Sequence, residues 1–175
     1  FFLCVAFPHD EMRILDYNRV VRDLNGLAPD ALLAHIRESF SIEPLHAAKT
    51  PAQPETFAMY LAGQWHALKI RGQLVPRHDP VASLDVSLLQ NHLLAPILGI
   101  GDPRVDPRID FVGGVRGLAE LERRVQSGRA AAAFALHPTR MEQLMAVADA
   151  GKLMPPKSTW FEPKLADGLL SHVLD

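Results

Sequence analysis

The chain has 175 residues, of which 48% are hydrophobic, 22% charged and 7% aromatic. That composition suits one ordinary globular domain or two very small ones, and it excludes a disordered, collagen-like or coiled-coil chain. Lys and Arg number 18 against 20 Asp and Glu, for a formal charge of −2, so the basic footprint of a nucleic-acid or anionic-membrane binder is missing.

The run Phe1-Phe2-Leu3-Cys4-Val5-Ala6-Phe7 predicts a central strand. It is too short to span a bilayer and has no signal-peptide flanks. A chain that opens inside a sheet and without methionine is expected to be a C-terminal fragment, whose missing N-terminal region pairs with or covers that strand. The lone Cys4 makes no internal disulfide and fits a reducing cytoplasm, and it is expected to be buried and inert. Arg13-Ile14-Leu15-Asp16-Tyr17 predicts a short strand. Pro29-Asp30 opens a helix, because proline suits the first turn and an acid there complements the helix dipole; Leu32, Leu33, Ile36 and Phe40 share its face. Ser41 to Leu45 predicts a strand and His46 to Glu55 a loop. Phe57 to Leu61 and Trp65 to Ile70 then form a hairpin around Ala62-Gly63-Gln64.

Arg71 to Val81 is polar and proline-containing, so a boundary between subregions is expected near residues 71–82 of a single domain. Leucines at 84, 88, 89 and 93 have helical spacing, with Ser83 or Asp85 at the start and Pro96 at the end. Gly101 to Arg108 is a loop. Ile109 to Val112 is β-like, and Gly113-Gly114 leads into a helix through Leu118, Leu121 and Val125. Arg129 to Leu136 is Ala-rich, yet Gly128 and His137-Pro138 leave it only eight residues, which favours a short buried strand. Thr139 is expected to cap a helix carrying Met141, Leu144, Met145 and Ala148 up to Gly151, and Gly168 to Leu174 is a final apolar segment. This order lacks a strict βαβ rhythm and predicts an α+β fold, with a mixed or mostly antiparallel sheet and packed helices.

Chemistry concentrates in Gly151-Lys152-Leu153-Met154-Pro155-Pro156-Lys157-Ser158-Thr159. Two prolines stiffen the loop, and a cation beside two hydroxyls is the chemistry that holds a phosphate or carboxylate. Lys157, Ser158 and Thr159 are therefore candidate anion-binding residues, with Lys164 in support; the competing reading is a rigid turn with a solvated Lys157. Asp149 sits at a helix C-terminus, where the macrodipole disfavours a carboxylate, so Lys152 or Lys157 is expected as its partner. Arg13, Arg19 and Arg22, with Asp16 and Asp23, form either a salt-bridged face or a phosphate-facing edge. Asp85 is most simply a first-turn acid. Gly113-Gly114 at a helix start suits either an anion or a tight connection. The eight histidines are scattered, and no metal site is expected from them.

Residues 13–21, 84–89 and above all 147–165, Val147 through Leu165, resemble the bacterial and archaeal family known as domain of unknown function 1015, specifically its C-terminal portion. Members of that family carry upstream a stretch resembling Asp-Gly-His-His-Arg-Tyr, similar to the motif of the ParB/sulfiredoxin-like fold that also serves in free serine kinases. The resemblance implies a small-molecule phosphotransferase using ATP or ADP with Mg²⁺ in the full-length protein. That motif lies outside these 175 residues, so no catalytic residue is carried over and the fragment alone is expected to be inactive. Its part would be to complete a substrate pocket with Lys157, Ser158 and Thr159. The competing reading is a non-catalytic ligand-binding or protein-interaction module.

Overall fold

A computed structural model describes residues 4, 6–8 and 10–164. Eight strands and four α-helices follow in the order β1 (Arg13–Leu15), β2 (Tyr17–Val21), α1 (Pro29–Ser39), β3 (Phe40–Leu45), β4 (Thr56–Leu61), β5 (Gln64–Ile70), α2 (Asp85–Leu89), β6 (Ile109–Gly113), α3 (Gly117–Gln126), β7 (Ala132–Leu136), α4 (Met141–Asp149) and β8 (Trp160–Glu162). Six strands form one sheet in the order β3-β5-β4-β7-β2-β6, and β1 pairs with β8 in a second. Every pairing is antiparallel. The fold is α+β, with the mostly antiparallel sheet expected of it.

Strand alternation sends successive side chains to opposite faces, and this sheet buries both. One face carries Val21, Phe57, Met59, Leu61, Phe134 and Leu136 beneath Leu32 and Ile36 of α1 and Leu88 and Leu89 of α2. The other carries Val20, Ala58, Tyr60, Ala133 and Ala135 beneath Leu121 of α3. Burying one side chain such as Phe134 contributes about 2–3 kcal/mol. All five residues of β7 are buried. The alanine run is thus the central strand that its flanking breakers demand.

The hairpin closes through Ala62 and Gly63, at φ +49° and +83°, the two left-handed residues that a two-residue turn requires. The leucine run beginning at Leu84 makes only a short α2, then a π-helical turn over Gln90–Leu94 that ends just before Pro96. Val75 and Leu84 lie in the same apolar core as residues on both sides of 71–82. No helix among the described residues is long and apolar enough to cross a membrane.

Three expectations are corrected. Cys4 is exposed rather than buried and lies outside any strand; most of the Phe1–Phe7 run falls outside the described residues, and no described strand covers the thiol. The N-cap of α4 is Arg140, not Thr139, because the Thr139 hydroxyl donates to the Ser158 carbonyl at 2.9 Å. Neither Ser83 nor Asp85 caps α2: Asp85 instead reaches across to another loop. The Gly168–Leu174 segment lies outside the described residues.

Candidate functional site

At the β2–β6 end of the sheet, alternation sets Tyr17, Arg19 and Val21 on the face that α1 and α2 cover. Phe111 stands directly opposite Arg19 in the ladder. Arg19 is only 4% exposed. Its guanidinium donates to the Tyr17 carbonyl and, at 3.0 Å, to the Lys157 carbonyl, and it sits 5.5 Å from the Phe111 ring centroid. No carboxylate pairs with it among the described residues. Burial therefore pulls its pKa down to about 10, against a smaller upward pull from Tyr17.

The Pro155–Ser158 turn is locked onto this strand. Lys157 adopts φ +54°, the Ser158 hydroxyl donates to the Pro155 carbonyl at 2.7 Å, and Thr139 holds the Ser158 carbonyl. Beyond the turn, Trp160 packs against Gly113, where any Cβ would stand 2.5 Å from the indole. Gly114 is closed in the same way by Asp16, and its N–H donates to the Asp16 carbonyl at 2.8 Å. The two glycines are a tight connection rather than an anion cradle.

Three aromatic rings form a row here, Phe111 at 6.0 Å from Tyr17 and Tyr17 at 5.5 Å from Trp160. Each ring carries a cation: Arg19 over Phe111, the Lys157 ammonium 5.8 Å from the Tyr17 centroid, and the Lys164 ammonium 4.5 Å from that of Trp160. Three of the expected site residues, Arg19, Lys157 and Lys164, are thus gathered along one row. Ser158 is buried with its hydroxyl already committed, and Thr159 is half-buried. Asp149 is exposed at the end of α4 and joins no ion pair among the described residues. Its expected partner Lys152 binds Asp79 instead, at 2.8 Å, because the chain after α4 runs beside the 79–85 loop. The Lys152 ammonium, with the Ala82 and Val81 N–H groups, holds the Asp79 carboxyl at about 2.

A cleft of about 410 Å³ opens beside this row, lined by Arg19, Ser87, Asn91, Arg104, Phe111 and Pro156 among others. Lys157, Ser158 and Thr159 are not among its lining residues; Pro155 and Pro156 are the part of the loop that reaches it. Just behind Val86 and Ser87, Asp85 is buried. One of its oxygens accepts the Glu55 N–H at 2.8 Å, and the other has no hydrogen-bond partner among the described residues. Burial pushes its carboxyl up to about 7; the Glu55 N–H opposes this, the Glu55 carboxylate adds to it, and Arg140 pulls the other way. Sequence spacing predicted neither the burial of Arg19 nor that of Asp85, although strand parity at residues 17–21 places Arg19 and Arg22 on opposite faces.

Residues 1–87 match the family model of a protein of unknown function, DUF1015. Over those residues, just under half of its length, the chain is similar to the DUF1015 family. The match stops short of the tail, residues 147–165. No curated protein matches the sequence. Among solved structures, the chain is similar to a free serine kinase mutant in complex with AMP, with a TM-score of 0.51 and 14% identity over 87% of this chain and 55% of that one. The free serine kinase itself in complex with AMP gives 0.50 and 14%, over 87% and 54%. The chain therefore shares a fold with free serine kinases and spans about half of their length.

As for a metal, no three His, Cys, Asp or Glu side chains among the described residues gather where they could hold one.

Proposed function

We propose that this chain is the ligand-binding portion of a nucleotide-dependent small-molecule kinase whose acceptor is a small hydroxyl compound of the serine class. The observation that carries the reading is Arg19, a buried guanidinium at a cleft with no carboxylate to neutralise it. Of its five N–H donors, two go to the Tyr17 and Lys157 carbonyls, which leaves three for an oxyanion. Desolvated donors of this kind stabilise developing phosphoryl charge without reorganising. A bound nucleotide supplies the phosphoryl group. The acceptor hydroxyl attacks its terminal phosphorus, the bond to the bridging oxygen breaks, and the hydroxyl proton leaves to a base. Asp102 lines the cleft but is held by Arg104 at 2.8 Å, so we assign no general base to this chain. The fold shared with free serine kinases supports the reading, and an N-terminal complement would supply the rest of the machinery.

A second reading, a non-catalytic ligand-binding module, is favoured by the exposure of Lys157 and by its absence from the cleft lining. One experiment separates the two. The full-length protein is incubated with Mg²⁺, serine and either ADP or ATP, and phosphorus NMR follows the products. A phosphomonoester that appears only with serine establishes the kinase, and Arg19→Met is expected to abolish it. If neither nucleotide gives a serine-dependent phosphoester, the serine-kinase reading falls and the binding module stands.

A further inference from the structure

The opposite face of the same strands holds a second cleft, of about 520 Å³, beneath α3. Strand parity builds it. Arg22 follows Val20 on the α3 side of β2, and Asp110 stands opposite Val20 in β6. Arg116 comes from the turn before α3, Arg123 and Arg124 from its last turns, and Arg129 from the connection to β7. With Glu120, these side chains line the cleft. The lining thus carries five guanidinium groups and two carboxylates, for a formal surplus of +3 in a chain whose total is −2. The positive charge is local to this cleft, not a property of the whole surface.

The ion pairs decide which arginines are free. Glu120 binds Arg123 at 2.6 Å and Arg124 at 2.8 Å, and Asp110 also binds Arg124. Both carboxylates are consumed by arginines of α3. Arg22, Arg116 and Arg129 have no carboxylate partner within ion-pair distance among the described residues, although they come from three separate segments. Burial alone would raise the Asp110 carboxyl, yet the Phe111 N–H, Arg124 and the charge of Arg22 together hold it below the usual range. Asp110 therefore stays ionised and keeps Arg124 in place.

Three converging like charges repel one another unless an anion lies between them. Guanidinium forks match phosphate oxygens in pairs, and three of them call for more charge than one carboxylate carries. The volume lies within the small-molecule range of roughly 300–1,000 Å³. Among the described residues no Phe, Tyr or Trp lines the cleft, so these offer no platform on which the bases of a nucleic acid could stack. We propose that this cleft is a binding site for a small molecule bearing two phosphate groups, held by Arg22, Arg116 and Arg129. The site lies across the sheet from Arg19 and stands or falls independently of the kinase reading.

Isothermal titration of this protein with inorganic pyrophosphate tests it. The expected result is saturable binding that weakens as salt rises, because exposed charges are screened beyond about 8 Å at physiological ionic strength. Arg116→Gln with Arg129→Gln should weaken it at least about tenfold, as expected for the loss of charge-assisted contacts, while Lys69→Gln, an exposed cation of β5 outside the cleft lining, leaves it unchanged. Circular dichroism checks that the double variant is folded; should it not be, Arg22→Gln alone is read instead, with a several-fold loss expected. No binding at millimolar pyrophosphate overturns the site, and so does binding that the arginine variants leave intact. Tighter capture of a single-stranded oligonucleotide through the same arginines would overturn the small-molecule occupant.

Discussion

The β2–β6 end of the sheet carries arginine on both faces, and the two faces treat it in opposite ways. Toward α1 and α2, Arg19 is buried on an aromatic ring, bound to carbonyl groups, and stripped of water and of any counter-ion among the described residues. Toward α3, Arg22, Arg116 and Arg129 stand exposed around an open cleft beside a lattice of paired Arg and Glu. The first arrangement costs desolvation and is held by packing, whereas the second keeps its water and costs mainly mutual repulsion. One sheet edge thus presents a fixed donor on one side and an adjustable positive field on the other. A buried donor discriminates by geometry; an exposed field attracts by charge and yields to salt.

The largest expected effect probes how dry the face under α1 and α2 is, through Asp85 at the start of α2. Its carboxyl stands at about 7 in the folded protein against 3.8 ordinarily. Between roughly pH 4 and 7 the folded protein therefore keeps a proton that the unfolded chain has lost. Stability falls as pH rises through that window and levels off above it, by on the order of 4 kcal/mol. Asp85→Asn retains an oxygen for the Glu55 N–H and carries no charge, so urea denaturation should show that slope flattened and the variant more stable than the parent at pH 8. An unchanged slope would mean that water reaches Asp85 and that this face is wetter than its packing implies.

Next in size is the contrast between the faces themselves. Arg19→Ala strands the Tyr17 and Lys157 carbonyls and empties the space over Phe111, a loss of about 3 kcal/mol for a buried group of this kind. Arg22→Ala, exposed on the other face, should stay within about 0.5 kcal/mol. The pair is read by the shift in denaturation midpoint at constant slope. Equal costs would erase the distinction between a structural and an available arginine.

What the sequence made legible, and what it hid, divides along the same line. Pro29 at a helix start, Ala62-Gly63 at a hairpin, and Gly128 and Pro138 bounding a segment too short for a helix are local signals, and a helix, a hairpin and the strand β7 formed there. The Gly113-Gly114 connection was half legible: a tight turn is readable from the glycines, but the indole of Trp160 that fills the space comes from nearly fifty positions away. In the sequence Arg19 groups with Arg13 and Arg22 as either a salt-bridged face or a phosphate-facing edge. Strand period 2 separates Arg19 from Arg22, and only tertiary packing buries the first. Asp85 had no local signal at all, because the N–H it accepts belongs to Glu55, thirty residues earlier. The exposure of Cys4 likewise depends on what covers the chain's opening residues, not on their hydrophobicity.

The smallest expected effect sits on the aromatic row. Lys157 and Lys164 lie over Tyr17 and Trp160 at 5.8 and 4.5 Å, yet both are exposed, and an exposed cation over a ring contributes about 0.5–1 kcal/mol. Lys157→Ala also replaces a side chain whose backbone already bears positive φ, a strain that alanine shares, so the two variants isolate the side chains' contribution. Each substitution should lower the denaturation midpoint only slightly, with Lys164→Ala the larger because its ammonium lies nearer the ring. Tyr17→Leu removes the ring beneath Lys157, and in that background Lys157→Ala should cost nothing further. If Lys157→Ala instead weakens binding of a phosphorylated ligand while leaving stability untouched, the turn belongs with the Arg19 cleft as a binding element, and the row is more than packing.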